Sequence, residues 1–184
     1  MEREARWLRW IGILLGGTAV TLIILIAVGT FDPQPVGKLQ WERPLPSQTI
    51  AAHSQQIIWL EPTTPPANYS LRLTTRRQSG ETDVAYGLVI GGGANYWVMA
   101  VSPLGYAATW EHSSAFVPWP HVKSDTNEIW LDVVNDRVTI YLNRELYWAG
   151  QVETSQGQIG LWLESFGETA VIDFPTLQLY AADP

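Results

Sequence analysis

The carboxylates best spaced for catalysis are Glu128 and Asp132, which lie with Asn135 on or beside one β-like stretch. Glycoside hydrolysis needs two carboxyl groups about 5 to 9.5 Å apart across a cleft. Glu128 only opens the stretch, and bulky Trp130 stands between it and Asp132, a pattern that a solvated outer face also produces. No Gly-x-Ser-x-Gly elbow occurs, which argues against an esterase. The expectation is therefore a domain without catalytic residues.

Metal chemistry has little support. His53, His112 and His121 are scattered with no ligand spacing, and cysteine is absent. Calcium is compatible with Asp125, Asn127 and Asp136, although no dense Asp/Asn loop holds them together. Gly91, Gly92 and Gly93 could cradle an anion, but no Lys or helix start follows, so a hairpin tip is the better reading. Asn68-Tyr69-Ser70 matches a glycosylation sequon, which has meaning only in a eukaryotic secretory pathway.

Aromatic residues offer a stronger handle, because indole faces stack on sugar rings or anchor protein partners. If Ile129 and Ile159 point into a core, then Trp130, Tyr141 and Trp162 point the other way, onto one candidate binding platform. The alternative is that a loop or second layer covers them. The connection from His112 to Asp125, which carries Phe116, Trp119 and His121, is apolar enough either to be that cover or to be the contact epitope.

Charge narrows the partners further. Setting Glu2, Glu4, Arg3, Arg6 and Arg9 aside from 18 acidic and 11 basic residues leaves 16 and 8, a strongly acidic domain. Such a domain repels phosphate backbones and anionic headgroups, so nucleic acid is a poor partner and a neutral or cationic one a better fit. With no disulfides, burial alone must hold it together, and 10 Trp, 7 Tyr and 4 Phe supply the area.

These residues need elements to position them. From Ile11 to Phe31 the chain carries no charge, and as a helix this run would be roughly 31 Å long, enough to cross a bilayer. Arg3, Arg6 and Arg9 precede it, which keeps residues 1–10 cytoplasmic and places the rest outside. A cleaved signal would share the basic start and the small pair Ala27 and Gly29, but the apolar run exceeds the usual signal core of about 7 to 15 residues. A retained anchor over 11–31 is expected. Gly12 and Gly16 form a small-xxx-small pair that lets another helix approach.

Pro33, Pro35, Pro44 and Pro46 suggest an extended stalk over 32–48, and residues 49–184 then form one external domain. Pro62, Pro65 and Pro66 turn a first strand, Ile57 to Leu60, into its body. Short β-rich stretches follow without a helical period: 69–73, 84–90, 96–101, 106–111, 129–133, 138–142, 159–163 and 171–180. Ser102-Pro-Leu-Gly105 suits a type I turn, Asn135-Asp136 a tight hairpin, and Pro175 an edge or a bulge. About ten to twelve antiparallel strands without helices imply a two-sheet jelly-roll sandwich.

The stretches Tyr86-Gly-Leu-Val-Ile90, Tyr96 to Trp110, Asn127 to Leu146 and Gly157-Gln-Ile-Gly-Leu-Trp162 resemble the concanavalin A-like, or laminin-G-like, sandwiches, including bacterial 3-keto-disaccharide hydrolase-like domains. Asn143-Arg144 stands where that family commonly has Asn-Gly. The resemblance implies an all-β, lectin-like domain behind one transmembrane helix in a bacterial cell membrane. Its expected function is recognition of envelope glycan or of a protein partner. The alternatives are an accessory subunit of a membrane complex and, less favoured, a glycoside-processing enzyme.

Overall fold

A computed structural model describes residues 2–60, 65–93, 95–110 and 115–182; Pro62, Glu111 and His112 lie outside them. The chain divides into two compact units, Met1–Gln34 and Pro35–Pro184.

The first unit is helix α1, Glu2–Ala27, whose 26 residues make about 39 Å of helix. Trp10–Ala27 is its uncharged, apolar part. The helix stops before Phe31 because Gly29 takes a positive φ of 71°, and the Thr30 and Gly29 N–H groups donate to the Leu25 and Ile26 carbonyls. This is a Schellman cap, which glycine forms without Cβ strain.

The second unit is built from two six-stranded antiparallel sheets. Its strands are β1 (Lys38–Ile50), β2 (Gln55–Trp59), β3 (Tyr69–Gly80), β4 (Val84–Gly92), β5 (Asn95–Ser102) and β6 (Tyr106–Trp110), followed by β7 (Val117–Pro118), β8 (Thr126–Val134), β9 (Arg137–Leu142), β10 (Glu145–Gln151), β11 (Gln158–Ser165) and β12 (Ala170–Ala181). Sheet A runs β1-β12-β3-β8-β9-β10, and sheet B runs β2-β11-β4-β5-β6-β7. Alternation sends Leu71, Leu73, Ile129, Leu131, Ile140 and Leu142 of sheet A into one core with Tyr86, Leu88, Met99, Ile159 and Leu161 of sheet B.

The segment expected to be a stalk is instead mostly β1, paired along β12. Trp41 and Leu45 pack on the core while Pro44 and Pro46 stay exposed. Proline is tolerated because β1 is an edge strand with register breaks on either side of Leu45. The sandwich unit thus begins at Pro35 rather than at residue 49.

The expected turns form. Gly105 N–H donates to the Ser102 carbonyl at 2.9 Å, and Pro175 sits at a register break inside β12, a bulge rather than an edge. Asn135 and Asp136 both take positive φ (50° and 63°), as a two-residue type I′ hairpin requires. Asn143 and Arg144 repeat this between β9 and β10 with φ of 51° and 76°. A non-glycine residue costs roughly 1–2 kcal/mol there. Two contacts of the Arg144 guanidinium work against that cost: an ion pair with Glu128 at 3.4 Å and an approach to the Trp130 ring at 5.7 Å.

Asp173 ties three strands together, accepting from Ser47 Oγ at 2.6 Å and from Arg76 at 2.7 Å. The Ser47 hydrogen bond first, then Arg76, lowers its carboxyl below the ordinary value. A lowered folded-state value stabilises above the unfolded-chain pKa of about 3.9, and the contribution is lost as pH falls through the folded one. Acid unfolding followed by circular dichroism is expected to show a shallower loss of stability below about pH 4 in Asp173→Asn than in the parent.

Candidate functional site

The outer faces of the two sheets differ in chemistry. On sheet A one row crosses all six strands: Glu42, Gln178, Arg72, Trp130, Tyr141 and Leu146. Several polar groups there are paired, although Arg72 Nη2 is buried without a partner among the described residues. Arg72 donates to Asp132 at 2.6 Å, Gln178 donates to Glu42 at 2.9 Å, and Tyr180 Oη donates to Gln178 at 3.2 Å. Trp130 is flanked by the guanidinium groups of Arg72, 4.8 Å from its ring, and Arg144. Glu128 and Asp132 do share this face, but each carboxylate is held by an arginine.

Sheet B is apolar on its outer face as well. Ile57, Trp162, Gly87, Ala100 and Ala108 form one row, and Trp59, Gly160, Val89, Val98 and Trp110 the next. Gly87, Ala100 and Ala108 leave room above the sheet for the Trp162 indole. Gly87 can be nothing larger, since a Cβ there would meet the Met99 carbonyl oxygen. Trp110 stands edge-on to Trp162 at 4.9 Å, Phe116 lies 5.9 Å from Trp110, and Phe166 lies 6.0 Å from Phe116. Trp59, Tyr96, Trp110 and Phe116 remain half-exposed and Phe166 is exposed.

The row beyond Trp59 holds Gln158, Gly91 and Tyr96, and there the face ends in an open depression of about 440 Å³ lined by Asn95, Glu153, Thr154, Gln156 and Gln158. Gly91 and Gly92 lie in its floor as part of the β4–β5 hairpin. At the opposite end of the face stands Glu164, whose row neighbours are Gln55 and Ala85. Burial pushes its carboxyl above the ordinary value. Glu164 has no hydrogen-bond or ion-pair partner among the described residues.

The aromatic platform read from the sequence is thus split. Trp130 and Tyr141 are cross-strand partners on sheet A, as expected, but Trp162 belongs to sheet B and is only 1 % exposed. It cannot present a stacking surface, because Trp110 and Phe116 pack over it. The connecting loop is in part the cover: Phe116 closes the outer face of sheet B, while Trp119 turns toward the inner core against Tyr147 at 5.2 Å, with His121 5.5 Å from its ring. Trp119 and His121 join neither outer face.

The three calcium candidates do not converge. Asp125 and Asn127 flank the start of β8, whereas Asp136 follows its end about 30 Å away. Asn127 spends its amide on Lys123 and Asn143, and Asp136 accepts from Ser155 and Gln156. Among the described residues no group of three or more His, Asp or Glu side chains is gathered to hold a metal. The sequon residue Asn68 accepts from the Asn135 N–H, tying β3 to the β8–β9 turn.

Trp59, Tyr96, Trp110, Gln158 and Glu164 were not singled out from the sequence. Their parity was visible, since Gln158, Trp162 and Glu164 alternate with Ile159, Leu161 and Leu163. Which sheet received them was not.

No family model matches the sequence, and no curated protein matches it. Solved structures do. The carbohydrate-binding module CBM66 from Bacillus subtilis is 14% identical with a TM-score of 0.56, covering 76% of this chain and 95% of that one. The Crh5 transglycosylase in complex with NAG is 10% identical with a TM-score of 0.53, covering 83% and 89%. The Aspergillus kawachii β-fructofuranosidase complexed with glycerol is 10% identical with a TM-score of 0.57, covering 76% of this chain but 27% of its own.

The fold is a concanavalin-like jelly roll. In this jelly roll the two tryptophans expected to act together have different work. Replacing buried Trp162 by Ala is expected to cost about 3–5 kcal/mol in denaturant unfolding. Trp130→Ala loses only a half-exposed ring and its guanidinium contacts, about 1–2 kcal/mol.

Proposed function

We propose that this protein is a non-catalytic, membrane-anchored module whose jelly roll binds glycan through the outer face of sheet B. One observation carries the reading: half-buried Tyr96 shares a row with Gly91 and Gln158 of a depression also lined by Asn95, Glu153 and Gln156, and half-buried Trp59 and Trp110 stand at the two ends of the next row. Rings supply apolar surface for the C–H faces of a sugar, and amide side chains both donate to and accept from its hydroxyls. The acidic domain disfavours anionic polymers, and solved structures of the same fold named as a carbohydrate-binding module and as a transglycosylase point to the same ligand class.

The test is titration of the full chain, in a detergent without a sugar headgroup, against a panel of neutral oligosaccharides. Trp59→Ala and Trp110→Ala are expected to weaken binding by about tenfold or more, and Trp130→Ala to leave it unchanged. Binding that is absent, or that responds only to Trp130, sinks the reading.

Anchoring rests on the uncharged stretch Trp10–Ala27, preceded by Arg3, Arg6 and Arg9, which orient the jelly roll outward. The accessory-subunit reading is favoured by the helix surface itself. Gly12, Gly16 and Gly17 have open space where a Cβ would stand, so a second helix could approach the backbone closely there. Thr18 and Thr21 donate their hydroxyl protons to Leu14 and Gly17 carbonyls, so no polar group on that side is unsatisfied. The protein is expected to stay with membranes after alkaline carbonate washing. Gly16→Leu and Gly17→Leu are expected to shift any larger assembly seen in mild detergent toward the monomer; a parent that is already monomeric overturns the subunit reading.

A further inference from the structure

Glu164 is set among aromatic rings in an unusual way. Trp162 and Phe166, its neighbours two positions before and after, are the two ends of one arc of ring contacts, Trp162 to Trp110 to Phe116 to Phe166, with centroid separations of 4.9, 5.9 and 6.0 Å. Along a strand, residues two apart share a face at about 6.6 Å, so Glu164 stands beside Trp162 on the outer face of β11, and Phe166 follows just past the strand's end at Ser165. The cross-strand neighbours of Glu164, Gln55 and Ala85, bring no positive charge. The side chain is half-buried, and it has neither a hydrogen bond nor an ion pair among the described residues. The carboxylates of sheet A's paired clusters each have a donor: Asp132 has Arg72, Glu128 has Arg144, Asp173 has Ser47 and Arg76, and Asp136 has Ser155.

A partly desolvated carboxylate with no partner is destabilising in the free protein, and aromatic faces attract cations through the ring quadrupole. Both terms become favourable when an ammonium group enters: the carboxylate gains a charge-assisted hydrogen bond, and the rings contribute cation–π attraction. The remainder of such a ligand would extend along the same face toward Trp59, Tyr96 and the polar depression.

We infer that Glu164 and the arc formed by Trp162, Trp110, Phe116 and Phe166 are a subsite for a protonated amine on the glycan, so that the ligand is an amine-bearing sugar polymer rather than a wholly neutral one. This rests on the reading of the outer face of sheet B as the glycan site. Glu164 supplies the countercharge, exposed Phe166 supplies the outer wall, and buried Trp162 holds the arc in place.

The experiment titrates the full chain, in a detergent without a sugar headgroup and at about pH 6, where most of the amines carry a proton, with a β-1,4-linked glucosamine oligomer and with its fully N-acetylated counterpart of equal length. The amine form is expected to bind about tenfold more tightly, and Glu164→Gln to erase that preference while leaving the acetylated form unaffected. Phe166→Leu is expected to weaken the amine form alone, by about threefold. A thermal midpoint for Glu164→Gln at or above that of the parent shows that the domain is intact, because the substitution removes an unpartnered charge. Equal binding of the two oligomers overturns the inference. So does a preference for the amine form that survives in Glu164→Gln, which would report only the general negative charge of the domain. In either case the glycan reading stands if Trp59→Ala weakens both oligomers. Failure of every glycan to bind removes both.

Discussion

Sheet B has apolar residues on both faces, and much of the molecule follows from that. Its inner face, with Tyr86, Leu88, Met99 and Leu161, is buried against sheet A. The outer face, with Ala85, Val89, Val98, Ala100 and Trp162, has no third sheet to cover it, yet all five are buried. Burial is achieved by laying large rings over small floor residues. Gly87, Ala100 and Ala108 keep the floor low, Trp162 lies above it, and Trp110, Phe116, Trp59 and Tyr96 complete the cover. Those outermost rings must keep one side in water, and so a requirement of stability leaves an aromatic surface available for binding.

Sheet A resolves its outer face by the opposite means. There the side chains are polar or charged and satisfy one another across the strands, with Arg72 joining Asp132, Gln178 joining Glu42, and Trp130 enclosed between Arg72 and Arg144. Arg144 keeps a left-handed backbone normally given to glycine, and its side chain serves both Glu128 and Trp130. A face whose carboxylates are already held by arginines has less to offer a ligand, because a new partner for them must displace an existing one. Glu164, by contrast, has no hydrogen bond or ion pair to displace among the described residues.

Much of the fold was legible because strand alternation and turn chemistry are local. Asn135-Asp136 announces a type I′ hairpin, Ser102-Pro-Leu-Gly105 a turn, and the parity of Ile129, Leu131 and Val133 the inner face of β8. Where the reading erred, a local cue met a non-local answer. Pro44 and Pro46 signalled a stalk, but edge pairing with β12 accommodates proline in β1. Trp162 shared its outward parity with Trp130, but the two strands lie in different sheets.

The sequence by itself determined the apolar helix, the all-β character of the rest, the inward set of residues on most strands and the acidic balance of the chain. These depend on side-chain type and on a period of two, which one strand carries alone. Only the tertiary structure decided which strands became neighbours, and hence that Phe116 meets Phe166, fifty residues further on, at 6.0 Å. Antiparallel pairing between distant segments is chosen by the burial of the whole set at once, and no single segment encodes its partner.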